Sequence, residues 1–363
     1  MIIFQNLDSR KTGGYSIGNV CKEMISIKDI AKQVGMSPST VSRVVNGKKY
    51  VSSKKREHIL KLIEETGYVP NRAARSMVLN RSFTVGIIIP DTFNMFQRQL
   101  FSIIERHLES FGYHTLFFFV TFEDQSEEAC LSRLKAEKPD GIIMIHEIKN
   151  PFFYEYVIKT GLPVVTATFN YPGITAFHVN EEQASRDAVN HLISLGHRRI
   201  VMISGDGFTF GRQRAEGFFQ ALTEADIPWD KDRVVFVRSY TPEFGMYGMK
   251  ELLLRKGKNN FTALFAATDE IAIGAIRVLA DEGLRVPDDV SVVGFDDIDI
   301  AKYMIPRLTT ICQPLTEIGE KTAAALHRRI TGNSAAAEEL ILPYKLVIRE
   351  STRALRKSAE NKQ

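Results

Sequence analysis

From Thr84 to about Phe295, short continuous apolar runs alternate with amphipathic stretches, and no other feature constrains the fold so strongly. The apolar runs lie at 85–89, 114–120, 141–145, 163–168, 199–203, 233–238, 263–266 and 290–295. Between them, residues 97–111, 181–195, 213–225 and 270–282 are examples of helical spacing. A strand that is apolar at successive residues is buried on both faces, as in a parallel sheet covered by helices. Eight such runs predict an α/β core of two doubly wound parallel sheets. In such folds a ligand sits in the crevice beyond the C-terminal ends of the strands. A chain of 363 residues is long enough for two or three domains. With 44% hydrophobic and 25% charged residues it is neither disordered nor fibrous.

Several classes fall away. No apolar run approaches the 18 or so residues needed to span a bilayer. The start, MIIFQNLDSRKTGG, lacks the apolar core of a signal peptide. Cys21, Cys130 and Cys312 are odd in number and show no CxxC spacing. They argue against a disulfide framework or a zinc site and for a reducing, cytoplasmic setting. No metal and no cofactor are expected, and no membrane partner.

Charge is unevenly distributed. Residues 24–82 hold twelve Lys and Arg against four acids, a net of +8, whereas the whole chain carries +4. A basic segment ahead of a mildly acidic body suggests a polyanion partner. The same segment has sharp helix signals. Ser26-Ile27-Lys28-Asp29 is a capping box, Ile27, Ile30, Ala31 and Val34 follow at helical spacing, and Gly35 provides a stop. Ser37 and Pro38 start a second helix with Val41, Val44 and Val45 as its buried stripe. A third helix starts near Ser52 or Ser53, buries Ile59, Leu62 and Ile63, and stops at Gly67. Two helices joined by a three-residue turn containing glycine predict a helix-turn-helix. A recognition helix needs short polar side chains and an Arg near its N-terminus. Ser39 and Thr40 supply the former, and Arg43 offers a fork for guanine. Ser42, Asn46, Lys48 and Lys49 suit phosphate oxygens. Residues 1–24 show no clear apolar period and read as a flexible extension.

The segment SIKDIAKQVGMSPSTVSRVVNGKKY, with PNRAARSM after it, closely resembles the headpiece of the lactose/galactose repressor family. The likeness continues through VGIIIPD, DGIIM, HLISLGHRRIVMISGD, GRQRAEGFFQAL, VPDDVSVVGFDDI and LTTICQP, covering about Ser26 to Ser351. It implies an N-terminal helix-turn-helix headpiece and a bilobal periplasmic-binding-protein-like core. The domains expected are a DNA-binding unit over 25–70, a hinge helix over 71–83, a core N-subdomain over 84–183 and 314–339, and a C-subdomain over 184–313 and 340–363. It also implies a homodimer on a near-palindromic, double-stranded operator.

By that resemblance, Ser39, Thr40, Ser42, Arg43, Asn46 and Tyr50 face DNA from the headpiece. Asn71, Arg72, Arg75 and Met77 do so from the hinge. Met77 stands where the family more usually has a Leu wedge for the minor groove. The effector cleft is expected to use Arg214 and Asp296, with Tyr240 stacking on the ligand. Asn94, Phe96, Gln97, His146 and Thr268 complete the expected set. Gln97 replaces a second aromatic, Thr268 a frequent Asn, and Val179 a frequent Asp ahead of Asn180. Asp269 is read as a helix cap and Asp297 as a brace for the strand end.

Catalytic readings fare poorly. Gly205 to Gly211 has GxGxxxG spacing, which misses the dinucleotide fingerprint. Adjacent Asp296 and Asp297 would point to opposite faces of a strand. There is no nucleophile elbow, HExxH or P-loop. The expectation is a sequence-specific transcriptional regulator and repressor, not an enzyme, controlled by a small molecule of carbohydrate type. The rivals are an orphan regulator with an unused cleft, and a solute-binding protein for transport. The basic headpiece and the absent signal peptide argue against the second.

Overall fold

The computed structural model describes residues 25–45, 51–68, 81–91, 94–121, 124–205, 209–258, 260–333 and 336–355. The chain divides into two units, Met1–Asn80 and Arg81–Gln363.

In the first unit, α1 (Ile27–Gln33) starts at Ser26 with a reciprocal cap. The Ser26 backbone N–H donates to Asp29 Oδ2 at 2.9 Å, and the Asp29 N–H donates to Ser26 Oγ at 3.4 Å. Gly35, at φ +65°, makes the turn in the left-handed region that L side chains resist. Next comes α2 (Pro38–Val45), whose Thr40 N–H donates to Ser37 Oγ at 3.3 Å. The third helix, α3 (Ser53–Thr66), ends at Gly67. Ile30, Ala31, Val41, Val44, Ile59 and Tyr68 form the small core. Val45, Leu62 and Ile63 lie half-buried at its margin, less enclosed than their spacing predicts.

In the second unit, β1 (Thr84–Pro90), α4 (Met95–Ser110), β2 (His114–Val120), α5 (Asp124–Glu137), β3 (Gly141–Met144), α6 (Pro151–Thr160), β4 (Val164–Ala167) and β5 (Thr175–His178) build the first lobe. The chain then crosses to α7 (Glu181–Ser194), β6 (Ile200–Gly205), α8 (Thr209–Glu224), β7 (Val234–Val237), α9 (Pro242–Lys256), β8 (Ala263–Ala266), α10 (Asp269–Asp281), β9 (Ser291–Asp296) and β10 (Thr309–Cys312). It returns to the first lobe as α11 (Leu315–Ile330) and β11 (Glu339–Ile341), and crosses a third time into β12 (Lys345–Val347). The first sheet has the order β11-β5-β4-β3-β1-β2 and is parallel throughout. The second runs β12-β10-β9-β8-β6-β7, parallel except for the β12 edge.

Strands β5, β10, β11 and β12 carry no run in the sequence that singles them out. The first two are four-residue segments begun by threonine, and β11 is an exposed edge. Tertiary pairing, more than local pattern, makes them strands.

The start of this unit is tied down through Asp140. Its carboxylate accepts the Ser82 N–H at 2.6 Å and the Phe83 N–H at 3.0 Å, and pairs with Arg81 at 3.4 Å. Arg81 also donates to the Tyr113 hydroxyl at 2.9 Å, which lies 3.2 Å from His327 Nδ1.

Candidate functional site

Strand ends and helix starts from both lobes meet around one cavity. From the first lobe come Ile145, beyond β3, Thr168, beyond β4, and the opening turn of α4. From the second come Glu181, Phe210, Arg214, Thr268, Asp296 and Gln313. Parallel strands make this convergence unavoidable, because every crossover leaves from the same edge of its sheet.

Arg214 organises the floor. It is 3% exposed, and its Nε donates to Glu181 Oε2 at 2.7 Å. Nη1 donates to the Ala267 carbonyl and Nη2 to Asp296 Oδ1 at 3.4 Å. The guanidinium carbon sits 3.6 Å from the Phe295 ring centroid and 5.0 Å from that of Phe210. Burial opposes its charge, yet Glu181 and Asp296 outweigh burial and hold its pKa above the ordinary value. Asp296 Oδ1 also accepts Gln313 Nε2 at 2.9 Å. Burial pushes the Asp296 carboxyl up to about 7, against the pull of Arg214.

Backbone strain gathers at the same place. Asp296 has φ 109°, Asp297 φ 52° and Thr168 φ 77°. A β-branched residue such as Thr168 rarely takes that conformation, and here its N–H is held by the Phe177 carbonyl at 2.8 Å. Such outliers cluster where a fold must aim side chains into a site. Asp297 turns away and pairs with Arg349 at 2.7 Å.

Asn94 and Gln97 form a capping box on α4: Asn94 Oδ1 accepts the Gln97 N–H at 2.9 Å, and Gln97 Oε1 accepts the Asn94 N–H at 3.1 Å. The departure to Gln at 97 therefore serves the helix start as well as lining the cavity. Thr268, not Asp269, caps α10, accepting the Ile271 N–H at 3.2 Å. Asp269 is buried behind it, with Oδ1 accepting the Thr310 hydroxyl at 2.6 Å and Oδ2 the Ile298 N–H at 2.9 Å. The reading of Asp269 as the cap is thus corrected. Burial first, then the Asp296 charge, raises its pKa well above the carboxylate range.

Six of the eight residues expected at the cleft line this cavity: Asn94, Phe96, Gln97, Arg214, Thr268 and Asp296. Tyr240 and His146 do not. Tyr240 stacks on Phe210 at 5.0 Å between centroids, behind the aromatic that faces the cavity. Side chains at Gly205 or Gly211 would run into that tyrosine, so these two glycines make room for its ring. His146 is buried just past β3, and burial pushes its pKa down to about 4. Sequence reasoning missed Glu181, Phe210, Thr168, Ile145 and Gln313. It looked instead to Val179 and Asn180, but Val179 is buried and Asn180 caps α7, accepting the Gln183 N–H at 2.9 Å. An acid directly after the Asn180 cap is ordinary for a helix start, so the sequence held no signal that marked Glu181 as a cavity residue.

On the headpiece, Ser39 and Arg43 are exposed on α2, and Thr40 and Ser42 are half-buried. The Ser37 hydroxyl lies 2.9 Å from those of Ser39 and Thr40. The expectations for Asn46, Tyr50, Asn71, Arg72, Arg75 and Met77, for Lys48 and Lys49, and for the extension over 1–24 lie outside the described residues. Among the described residues, no group of His, Cys, Asp and Glu could hold a metal ion, and no helix is long and apolar enough to cross a membrane.

Residues 26–71 match the family described as bacterial regulatory proteins, lacI family, and residues 189–352 match a periplasmic binding protein-like domain. The HTH-type transcriptional regulator DegA of Bacillus subtilis is 33% identical over 336 residues, covering 91% of this chain and 98% of DegA. The chain belongs to the lacI family. Another relative, catabolite control protein A of Priestia megaterium, is 32% identical over 91% of this chain and 99% of its own. Among solved structures, the lac repressor dimer bound to operator and the anti-inducer ONPF matches with a TM-score of 0.79 at 28% identity, over 91% of this chain and 99% of that one. A complex of the transcriptional regulator CelR with cellobiose matches at 0.68 and 29% identity, over 90% and 99%. This lacI-family chain is accordingly a DNA-binding transcriptional regulator and not an enzyme.

Proposed function

We propose that this regulator is a cytoplasmic homodimeric repressor that binds a near-palindromic, double-stranded operator and is controlled by a carbohydrate effector in the cleft between its two lobes. The observation that carries the effector is the cavity itself: convergent polar groups from both lobes around Arg214 and Asp296, with Phe96 and Phe210 as apolar walls. Carbohydrates present alternating hydroxyls and apolar C–H faces, the pattern such a lining suits. Two solved relatives are described with cellobiose and with ribose bound. On the DNA side, Ser39, Thr40, Ser42 and Arg43 act from α2. Asn46, Tyr50 and the hinge residues Asn71, Arg72, Arg75 and Met77 join them at the operator. Ligand acts by binding one arrangement of the lobes better than another, with a coupling of about 1–3 kcal/mol.

Selecting bound DNA from a random pool, with and without a panel of sugars and nucleosides, tests this. The expected result is an enriched inverted repeat whose retention changes with one ligand class. Enrichment of unrelated sequences removes the operator reading. An inverted repeat indifferent to every ligand favours an orphan regulator.

A further inference from the structure

The arginine at the centre of the cleft is already neutralised by the chain's own acids, and that bears on what the cleft admits. Resting on the reading of this cavity as the effector site, we infer that Glu181 is a specificity-determining residue that closes the cleft to phosphorylated and carboxylated ligands and leaves it selective for uncharged, hydroxyl-rich ones.

Arg214 is the one cation among the described residues lining the cavity. Glu181 and Asp296 line it too, so the site carries no uncompensated positive charge. The shorter of the two ion pairs is the one with Glu181, at 2.7 Å against 3.4 Å. Both charged partners of that pair are less than a tenth exposed, so solvent screens their fields weakly. Phe295 covers the guanidinium at 3.6 Å, which also limits its freedom to swing toward a new anion.

Helix starts are the other common cradle for phosphate. Three of those near the cavity, on α4, α7 and α10, are already served by the chain. Asn94 and Gln97 cap α4, the Met95 N–H faces Glu270 Oε1 at 3.4 Å, and Thr268 caps α10. Glu181 itself stands at the first position of α7. The acids occupy the positive ends of these helices, where an anionic ligand would otherwise gain.

The remaining hydrogen-bonding capacity points the same way. Gln313 is 4% exposed and lines the cavity, and its Oε1 is a buried acceptor with no donor. Asp296 uses Oδ1 for both Arg214 and Gln313, which leaves Oδ2 for the cavity. Gln313 Oε1 calls for a donor, and Asp296 Oδ2 does so once its carboxyl is ionised, above about pH 7. A hydroxyl donates, whereas an ionised phosphate or carboxylate brings acceptors alone.

The test is calorimetric titration of the full chain with matched pairs: ribose and ribose 5-phosphate, glucose and glucose 6-phosphate, galactose and galacturonate, cellobiose and cellobionate, adenosine and its monophosphate. The expected result is that the neutral member of one pair binds and its anionic partner binds at least about tenfold more weakly, about 1.4 kcal/mol. In Glu181→Gln, the ratio shifts toward the anion by about tenfold or more. An anionic partner binding wild type as tightly as its neutral counterpart overturns the inference and leaves the effector reading standing. Equal weakening of both members in Glu181→Gln also overturns it. Binding of no compound in the panel overturns the effector reading, and the inference with it. Where Glu181→Gln fails to fold, which its thermal unfolding reveals, the wild-type ratios still test the selectivity of the cleft, and Glu181→Asp, which keeps the charge and should keep the ratio, tests the residue.

Discussion

Buried acids give the second unit a pH dependence that single residues explain. Burial pushes the Glu270 carboxyl up to about 7, although the Met95 N–H opposes this. The folded chain therefore holds a proton that the unfolded chain releases near the ordinary value of 4.5. The contribution of Glu270 to stability is greatest below about 4.5 and declines as pH rises to about 7. Asp296, raised to about 7 by burial, acts in the same direction. His146, held down to about 4, opposes this below 6.5, its ordinary value. Thermal unfolding between pH 6.5 and 8 should therefore show a falling midpoint, and Glu270→Gln should flatten part of that fall. A steeper fall in the variant would contradict the assignment. On the headpiece, Arg43→Ala should weaken operator binding by about 1–3 kcal/mol and relax base choice at one position of each half-site. Quantitative binding to single-base operator variants checks this, and uniform loss across all of them would remove Arg43 as a base reader.

At the scale of elements, close helix packing makes a few small residues obligatory. Gly274 on α10 faces α9 so tightly that a Cβ there would overlap the Pro242 carbonyl oxygen and crowd the Met246 nitrogen. Both are backbone atoms and have no rotamer to give. Gly274→Ala should therefore cost about 1–3 kcal/mol or more, through movement of α10 off α9. Urea unfolding with an unchanged m-value would register it as loss of stability and not as a change in the unfolded chain. Helix limits are legible in the sequence, because caps are local: the Ser26 box, Pro38 and Gly67 mark ends within one or two residues. Strands β5, β10, β11 and β12 are not, because each is short and owes its pairing to a neighbour already in place.

For the molecule as a whole, the second unit is two sheets joined by three crossings, and direct contacts bridge the lobes across the cavity. Thr209 on α8 donates to Glu147 Oε2 beyond β3 at 2.6 Å, and Glu270 faces the start of α4. Such bridges favour the arrangement in which the lobes are together. Loss of a hydrogen bond of this kind costs about 0.5–1.5 kcal/mol. Thr209→Val should accordingly weaken effector binding by roughly twofold to tenfold through a smaller binding-competent population. Calorimetric titration of the full chain measures it, and unchanged affinity would show that this bridge does not bias the lobes.

The sequence by itself determined the class of fold, the helix-turn-helix and the family, and it named six of the eleven residues that line the cavity, Arg214 and Asp296 among them. Those properties are written in apolar period, caps and contiguous motifs, all of which act over short stretches of chain. What tertiary structure decided is the company that Arg214 keeps. Glu181 lies 33 residues away from it and Asp296 lies 82 away, and no local pattern links the three. They meet because parallel strands deliver their C-terminal ends to one edge, and because burial there requires each charge to find a partner. The same convergence set Tyr240 behind Phe210 and made Thr268 the cap that Asp269 was expected to be.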